Sequence, residues 1–149
     1  MGISKDIPLS EITLRKYEKP YDMPKRELIR KICLSVGLLQ PGDSRDIIVD
    51  ILCVLHDAKK RKVLLGSEEI REGVLKMREE HNLPLVGVAS SNIRRQIRRL
   101  RELFLVEKVK NNYRINEFED LDVLFDERIR KIYLDNIIHR IKDYFEALK

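Results

Sequence analysis

Residues 90–115 read SSNIRRQIRRLRELFLVEKVKNNYRI, and no other stretch restricts the possible folds as tightly. Ile93, Ile97, Leu100 and Phe104, with Leu103 beside them, recur at spacings of four and three, which places them on one stripe of an α-helix. Ser90 or Ser91 suits the N-cap, where a hydroxyl accepts a free backbone N–H of the first turn. Beyond the helix, Leu105, Val106 and Val109 favour strand, and Tyr113 and Ile115 resume the apolar pattern. Asn tolerates positive φ, so Asn111-Asn112 is the predicted turn. The sequence thus predicts a helix over about 90–103 that runs directly into a hairpin over 105–115.

The helix is divided by charge. Opposite the apolar stripe lie Ser91, Arg95, Arg98 and Glu102, flanked by Arg94, Arg99 and Arg101. Such a face suits nucleic acid, because phosphates attract guanidinium groups whatever the base sequence. An arginine fork also pairs bidentately with guanine in the major groove, and the amides of Asn92 and Gln96 are of the kind that read adenine. Lys108, Lys110 and Arg114 add positive charge around the hairpin tip, beside Asn111 and Asn112. The competing reading is a solvated basic face on an ordinary core helix with a surface hairpin as its cap.

A capped arginine-rich helix, an exit of the form L-x-x-L-x-L-V and the NNYRI return strand resemble the second half of a winged helix-turn-helix protein of the archaeal type. The resemblance covers about residues 44–115. It implies a mainly α fold with a small antiparallel β wing, extended by helices at both termini. It also implies a sequence-specific transcriptional regulator of double-stranded DNA. In that picture Ser91, Asn92, Arg94, Arg95, Gln96, Arg98 and Arg99 enter the major groove. Lys108, Lys110, Asn111, Asn112 and Arg114 meet the backbone or minor groove. Where most relatives carry Gly near the helix exit, this chain has Phe104.

The rest of the chain supplies the scaffold. Residues 1–43 form an arm and a helix, 44–116 the winged unit and 117–149 a helical segment. Lys5, Arg15, Lys16 and Lys19 make the arm basic, and a loosely packed terminus is expected there. Pro24 suits the first turn of a helix with Leu28, Ile29, Ile32, Cys33 and Val36 on its stripe, and Gly37 suits its C-terminal end. A second helix spans about 45–60 with Ile47, Ile48, Ile51, Leu52 and Leu55 buried. Residues 63–65 form a short strand that pins the hairpin. Ser67 caps a third helix with Ile70, Val74 and Met77 inward.

Residues 81–89, HNLPLVGVA, break the helical pattern over more than the three or four residues of a compact helix-turn-helix. Either the third helix is extended and its turn elaborated, or the pair is not the standard one. Leu83, Leu85, Val86 and Val88 are expected to pack. A short helix around Leu121, Leu124 and Phe125 precedes a longer one over about 127–148. Leu134, Ile141 and Leu148 repeat by seven with Ile137 and Tyr144 between them. A homodimer interface is expected at Leu134, Ile137, Ile138, Ile141, Tyr144, Phe145 and Leu148. The alternative is that this helix folds back on the Pro24 or Arg45 helix of its own chain.

The 149 residues carry a net charge of +5, and 37% are charged, above the roughly 25% of average domains. That balance fits a nucleic-acid partner and resembles thermophile composition. Cys33 and Cys53 lie on apolar helix faces and are expected as buried thiols. The first residues mix charged and apolar types, unlike a signal peptide, and no apolar run approaches a membrane span. A cytoplasmic protein is expected, nucleoid-associated if the source is prokaryotic. No glycine-rich phosphate loop, GxSxG or HExxH occurs, and His56, His81 and His139 are far apart. The sequence therefore implies no enzyme, no cofactor and no metal, and points to no small-molecule ligand. Two other readings stay open: a winged-helix module that contacts protein in transcription or replication machinery, and a non-specific architectural DNA binder. RNA is less favoured, since no β-platform of stacking aromatics is present.

Overall fold

The computed structural model describes residues 6–149, so Lys5 of the basic arm lies outside it. The chain is mainly helical with one two-stranded antiparallel sheet, an architecture compatible with a winged helix. After residues 6–24, which hold no helix or strand, come α1 (Lys25–Ser35), α2 (Ile47–Arg61), α3 (Ser67–Glu80) and α4 (Ser90–Glu102). The hairpin strands β1 (Val106–Val109) and β2 (Asn112–Ile115) follow. A terminal rod runs through α5 (Leu121–Leu124), a π-helical stretch (Phe125–Leu134) and α6 (Asp135–Ala147). Right-handed helical dihedrals at Leu124, Phe125, Leu134 and Asp135 make the rod continuous, where the sequence predicted two separate helices.

Helix α2 is the centre of the core because its sequence, IIVDILCVL, is apolar on every face but one. It packs against α1, α3, α4 and β2. Ile29 and Cys33 of α1, Ile70 and Val74 of α3, and Ile93, Ile97 and Leu100 of α4 all turn inward onto it. Both cysteines are buried and unpaired, and burial pushes the Cys33 thiol up to about 12 and the Cys53 thiol up to about 11.

The exception in α2 is Asp50, which is 0% exposed. With Asp46 it anchors a buried ionic cluster that the sequence did not announce. Arg26 of α1 donates Nε to Asp50 Oδ1 at 2.9 Å and Nη2 to Asp46 Oδ2 at 3.1 Å. Arg78 of α3, 2% exposed, donates Nη1 to Asp50 Oδ2 at 2.6 Å and to Asp46 Oδ1 at 3.0 Å. Its Nε reaches the Pro84 carbonyl at 2.8 Å, and Arg30 closes the cluster on Asp46 at 2.9 Å. Burial alone raises the pKa of the Asp46 carboxyl, but hydrogen bonds from Arg78 and Arg26 outweigh it and hold the group below its ordinary value. Burial works against the Arg26 charge, and Asp50 and Asp46 more than compensate.

Four helices end alike. After α1, α2, α3 and α4 the residues Gly37, Lys62, Asn82 and Phe104 take left-handed φ of +79°, +54°, +53° and +64°. In each case the next amide reaches back five residues: Leu38 to Cys33, Val63 to Ala58, Leu83 to Arg78 and Leu105 to Leu100. These are Schellman ends, which usually place glycine at the left-handed position. Phe104 therefore stands where that geometry favours glycine, and its ring meets Tyr133 edge-on at 5.7 Å.

Helix starts depart from expectation. Ala89, not a serine, is the N-cap of α4, and no side chain caps it. Gly66 rather than Ser67 precedes α3, with its amide donating to Glu69 Oε1 at 2.9 Å. Most of the arm's described residues are exposed, as expected of a loosely packed terminus, but the arm is tied down at a few points. Ile12 and Tyr17 lie on the core, the Arg15 amide bonds Ser35 O at 2.8 Å, and Arg15 Nη1 reaches Leu34 O at 2.6 Å. Gly37 suits this crossing, because a Cβ there would sit 2.8 Å from that of Thr13. Among the described residues no helix is long and apolar enough to cross a membrane.

The terminal rod leaves the body. Leu124 and Ile129 are buried at its start, but nothing in α6 is. Tyr144, Phe145 and Leu148 are 74%, 72% and 87% exposed, Ile138 and Ile141 are also exposed, and Leu134 and Ile137 are half-buried. Ile129 joins the core, but among the described residues α6 makes no substantial contact with the Pro24 or Arg45 helix, so the expected alternative does not hold for it.

Candidate nucleic-acid interface

Helix α4 carries its arginines outward because Ile93, Ile97 and Leu100 point to α2 and fix its rotation. Arg94, Arg95, Arg98 and Arg101 are exposed and Arg99 is half-buried. Among the described residues none of these five has a carboxylate at ion-pair distance, whereas Arg26, Arg30, Arg78 and Arg114 all do. The arginines of α4 are therefore held in no direct ion pair, although Glu102 lies on the same helix.

The two amides expected to read bases are engaged within the protein. Asn92 donates Nδ2 to Gly87 O at 2.7 Å, and its Oδ1 accepts from Arg95 Nη2 at 2.9 Å and Gln96 Nε2 at 3.2 Å. Gln96 Oε1 in turn accepts from Arg99 Nη1 at 2.9 Å. This chain of hydrogen bonds ties the 81–89 connection to α4 and holds two arginines in set positions. Ser91 is exposed on the first turn.

The connection itself is held at three points. Besides Asn92, Arg78 grips Pro84 O, and Arg71 Nε donates to Val88 O at 2.6 Å. Val88 packs on the core as expected, but Leu85 and Val86 are exposed beside the start of α4. Gly87, at φ +79°, is where the loop passes closest, with Asn92 Nδ2 and Ile47 Cγ1 3.2 and 3.4 Å from the place of a Cβ.

The hairpin pairs Val106 with Ile115 and Val109 with Asn112, so its two-residue turn is Lys110-Asn111. Asn112 instead opens β2, and the left-handed φ of +59° falls on Lys110. The apolar residues decide this register: Val106, Tyr113 and Ile115 must all reach the core, and a slip by one residue would turn them to solvent. Leu65 pins β2 as expected, but through one bridge rather than a strand, with amide bonds of 3.0 and 2.7 Å to and from Tyr113.

The charged residues of the hairpin divide. Arg114 is taken up by Glu107 at 2.8 Å, with its guanidinium 4.8 Å from the Phe118 ring centre. Lys108 lies over Tyr113 at 5.9 Å, and Lys110 and Asn111 project at the exposed tip. A shallow groove brings Arg98 and Arg101 of α4 beside Lys108 of β1, with Glu102 and Glu107 in its wall. The basic run 59–62 stands apart at the end of α2. There Lys59 pairs with Asp120 at 2.9 Å, and its charges oppose the helix dipole.

Among the described residues no cluster of three or more His, Cys, Asp or Glu is placed to hold a metal ion. Comparison of the chain with family models, curated proteins and solved structures finds no match.

Proposed function

We propose that the chain is a winged helix-turn-helix regulator that binds double-stranded DNA, with α4 in the major groove and the hairpin tip on the adjoining backbone or minor groove. The observation that carries this reading is the contrast in arginine partnering: the body pairs its buried arginines with carboxylates, yet among the described residues five on α4 have no carboxylate at ion-pair distance. Arg94, Arg95 and Arg98 are the residues positioned to meet DNA, joined by Ser91, Lys108, Lys110 and Asn111. Asn92 and Gln96 act as positioning residues for Arg95 and Arg99, and Arg114 and Asn112 shape the hairpin. The exposed apolar side of α6 pairs with a second copy, so that two α4 helices address half-sites about one helical turn, roughly 34–36 Å, apart.

The test is binding to random-sequence duplex across a salt series, with selection of the bound sequences. The reading requires affinity that falls steeply with salt and an enriched palindrome. Steep salt dependence without enrichment replaces it with an architectural, non-specific binder. No binding at low salt replaces it with a protein-interaction module, for which exposed Leu85 and Val86 next to α4 supply an apolar contact.

A further inference from the structure

A cavity of about 340 Å³ opens beneath the first half of α4, a volume within the range of small-ligand sites. Four segments build it: the stretch between α1 and α2, the start of α2, Gly87 of the 81–89 connection and the inner edge of α4. Its floor is apolar, from Leu38, Leu39, Ile47 and Ile48. Its rim is cationic, from Arg45, Arg95 and Arg99, none of which has a carboxylate at ion-pair distance among the described residues. The one acid in the lining, Asp43, already accepts the Arg45 amide at 2.9 Å. The hydrogen bonds from Asn92 to Arg95 and from Gln96 to Arg99 hold two of the guanidinium groups in place before anything binds.

We infer that this cavity binds a small organic anion, a carboxylate or phosphate monoester on a compact apolar body, with the body on the isoleucine and leucine floor and the anionic group on the arginine rim. Guanidinium groups suit both anions because their planar forks match the oxygen spacing of each. A bare anion would leave the floor unused, and a neutral apolar molecule would leave three charges unanswered. Arg95 and Arg99 belong to the cavity rim and to the face of α4 alike. An occupied cavity would draw their charge inward and weaken the grip on DNA. That second consequence rests on the function proposed above, whereas binding of the anion does not.

The experiment titrates the full-length chain with hexanoate, with its neutral counterpart hexanamide and with inorganic phosphate, followed by amide and methyl NMR shifts. The expected result is saturable shifts at Leu38, Leu39, Ile47, Ile48 and Gly87 with hexanoate, and affinities at least about tenfold weaker for the other two. Arg45→Ala, at an exposed position outside the proposed DNA contacts, should weaken hexanoate by about tenfold while leaving the spectrum otherwise folded. A phosphate monoester of similar size, hexyl phosphate, separates the two anion classes by which binds more tightly. Equal affinity for hexanamide overturns anion recognition, equal affinity for inorganic phosphate overturns the role of the floor, and no saturable shift with hexanoate or hexyl phosphate overturns the site. Displacement of a bound duplex by hexanoate is measured separately. If the chain binds DNA and the anion but neither displaces the other, the coupling is refuted. A chain that binds the anion and no DNA refutes only the function proposed above.

Discussion

Arg26 and Arg78 lie buried against Asp46 and Asp50, whereas Arg94, Arg95 and Arg98 stand in water with no carboxylate at ion-pair distance among the described residues. The residue type is the same, and what differs is solvation. A charge taken out of water is tolerated only when a partner and hydrogen bonds replace its hydration. The buried arginines are thereby committed to joining α1 and α3 to α2. The arginines of α4 keep their hydration, so an incoming phosphate can exchange for water and counterions there. Position relative to α2, rather than abundance of basic residues, separates structural arginines from those available for binding.

The strongest way to break this contrast is to remove a buried acid. Asp50→Ala strands the charges of Arg26 and Arg78 and should cost about 3–5 kcal/mol in a urea unfolding curve. A loss below about 1 kcal/mol would mean that the cluster is hydrated and that the two sets of arginines do not differ. Arg98→Ala should do the reverse. Unfolding stability should stay within about 0.5 kcal/mol, as expected of an exposed site. Duplex affinity should fall by about 1–3 kcal/mol if the side chain reads a base, or the salt slope should drop by about one if it meets a phosphate. Unchanged binding on both counts would move the interface away from this face.

A third region sharpens the contrast with apolar groups. Tyr144 and Phe145 are largely exposed, so replacing both with Ser should leave the melting temperature of the body nearly unchanged while shifting sedimentation to the monomer. A wild-type chain that is already monomeric at high concentration would refute the pairing. The smallest effect concerns His56. Burial, with help from Lys25, Lys59 and Lys60, lowers its pKa, and its Nδ1 has no hydrogen-bond partner. A depressed folded pKa means that the unfolded chain binds the proton more readily. The associated stability is present above about pH 6.5, the ordinary histidine value, and is lost as pH falls through the folded value. His56→Gln should flatten that part of the stability profile, and an unaltered slope would assign it to other groups.

The parts legible in the sequence were those set by local periodicity. The stripe of α4, the hairpin after it, the pinning by Leu65 and the left-handed Gly37 all follow from spacing and residue type within a few positions. The ionic cluster did not, because its ion pairs span 16 to 32 residues and a periodicity reading assigns each charge to a solvent face. One signal was present: Asp50 is the lone charge inside IIVDILCVL, and a helix buried all round must supply a partner for it. The turn was misplaced because asparagine's tolerance of positive φ was weighed above the core's demand for Val106, Tyr113 and Ile115. The engagement of Asn92 by Gly87 depends on where the 81–89 connection runs, which no local pattern specifies.

The hydrogen bond from the Tyr133 hydroxyl to Glu11 O, 2.8 Å long and spanning 122 positions, has a consequence in time. The arm can settle on α1 once residue 35 or so is available, but it cannot close against the terminal rod until nearly the whole chain exists. At roughly 5–20 residues per second of synthesis, the interval from residue 35 to residue 133 is about 5–20 s. During it the nascent four-helix body must hold together without the clasp, and the rod is the last part to be tethered.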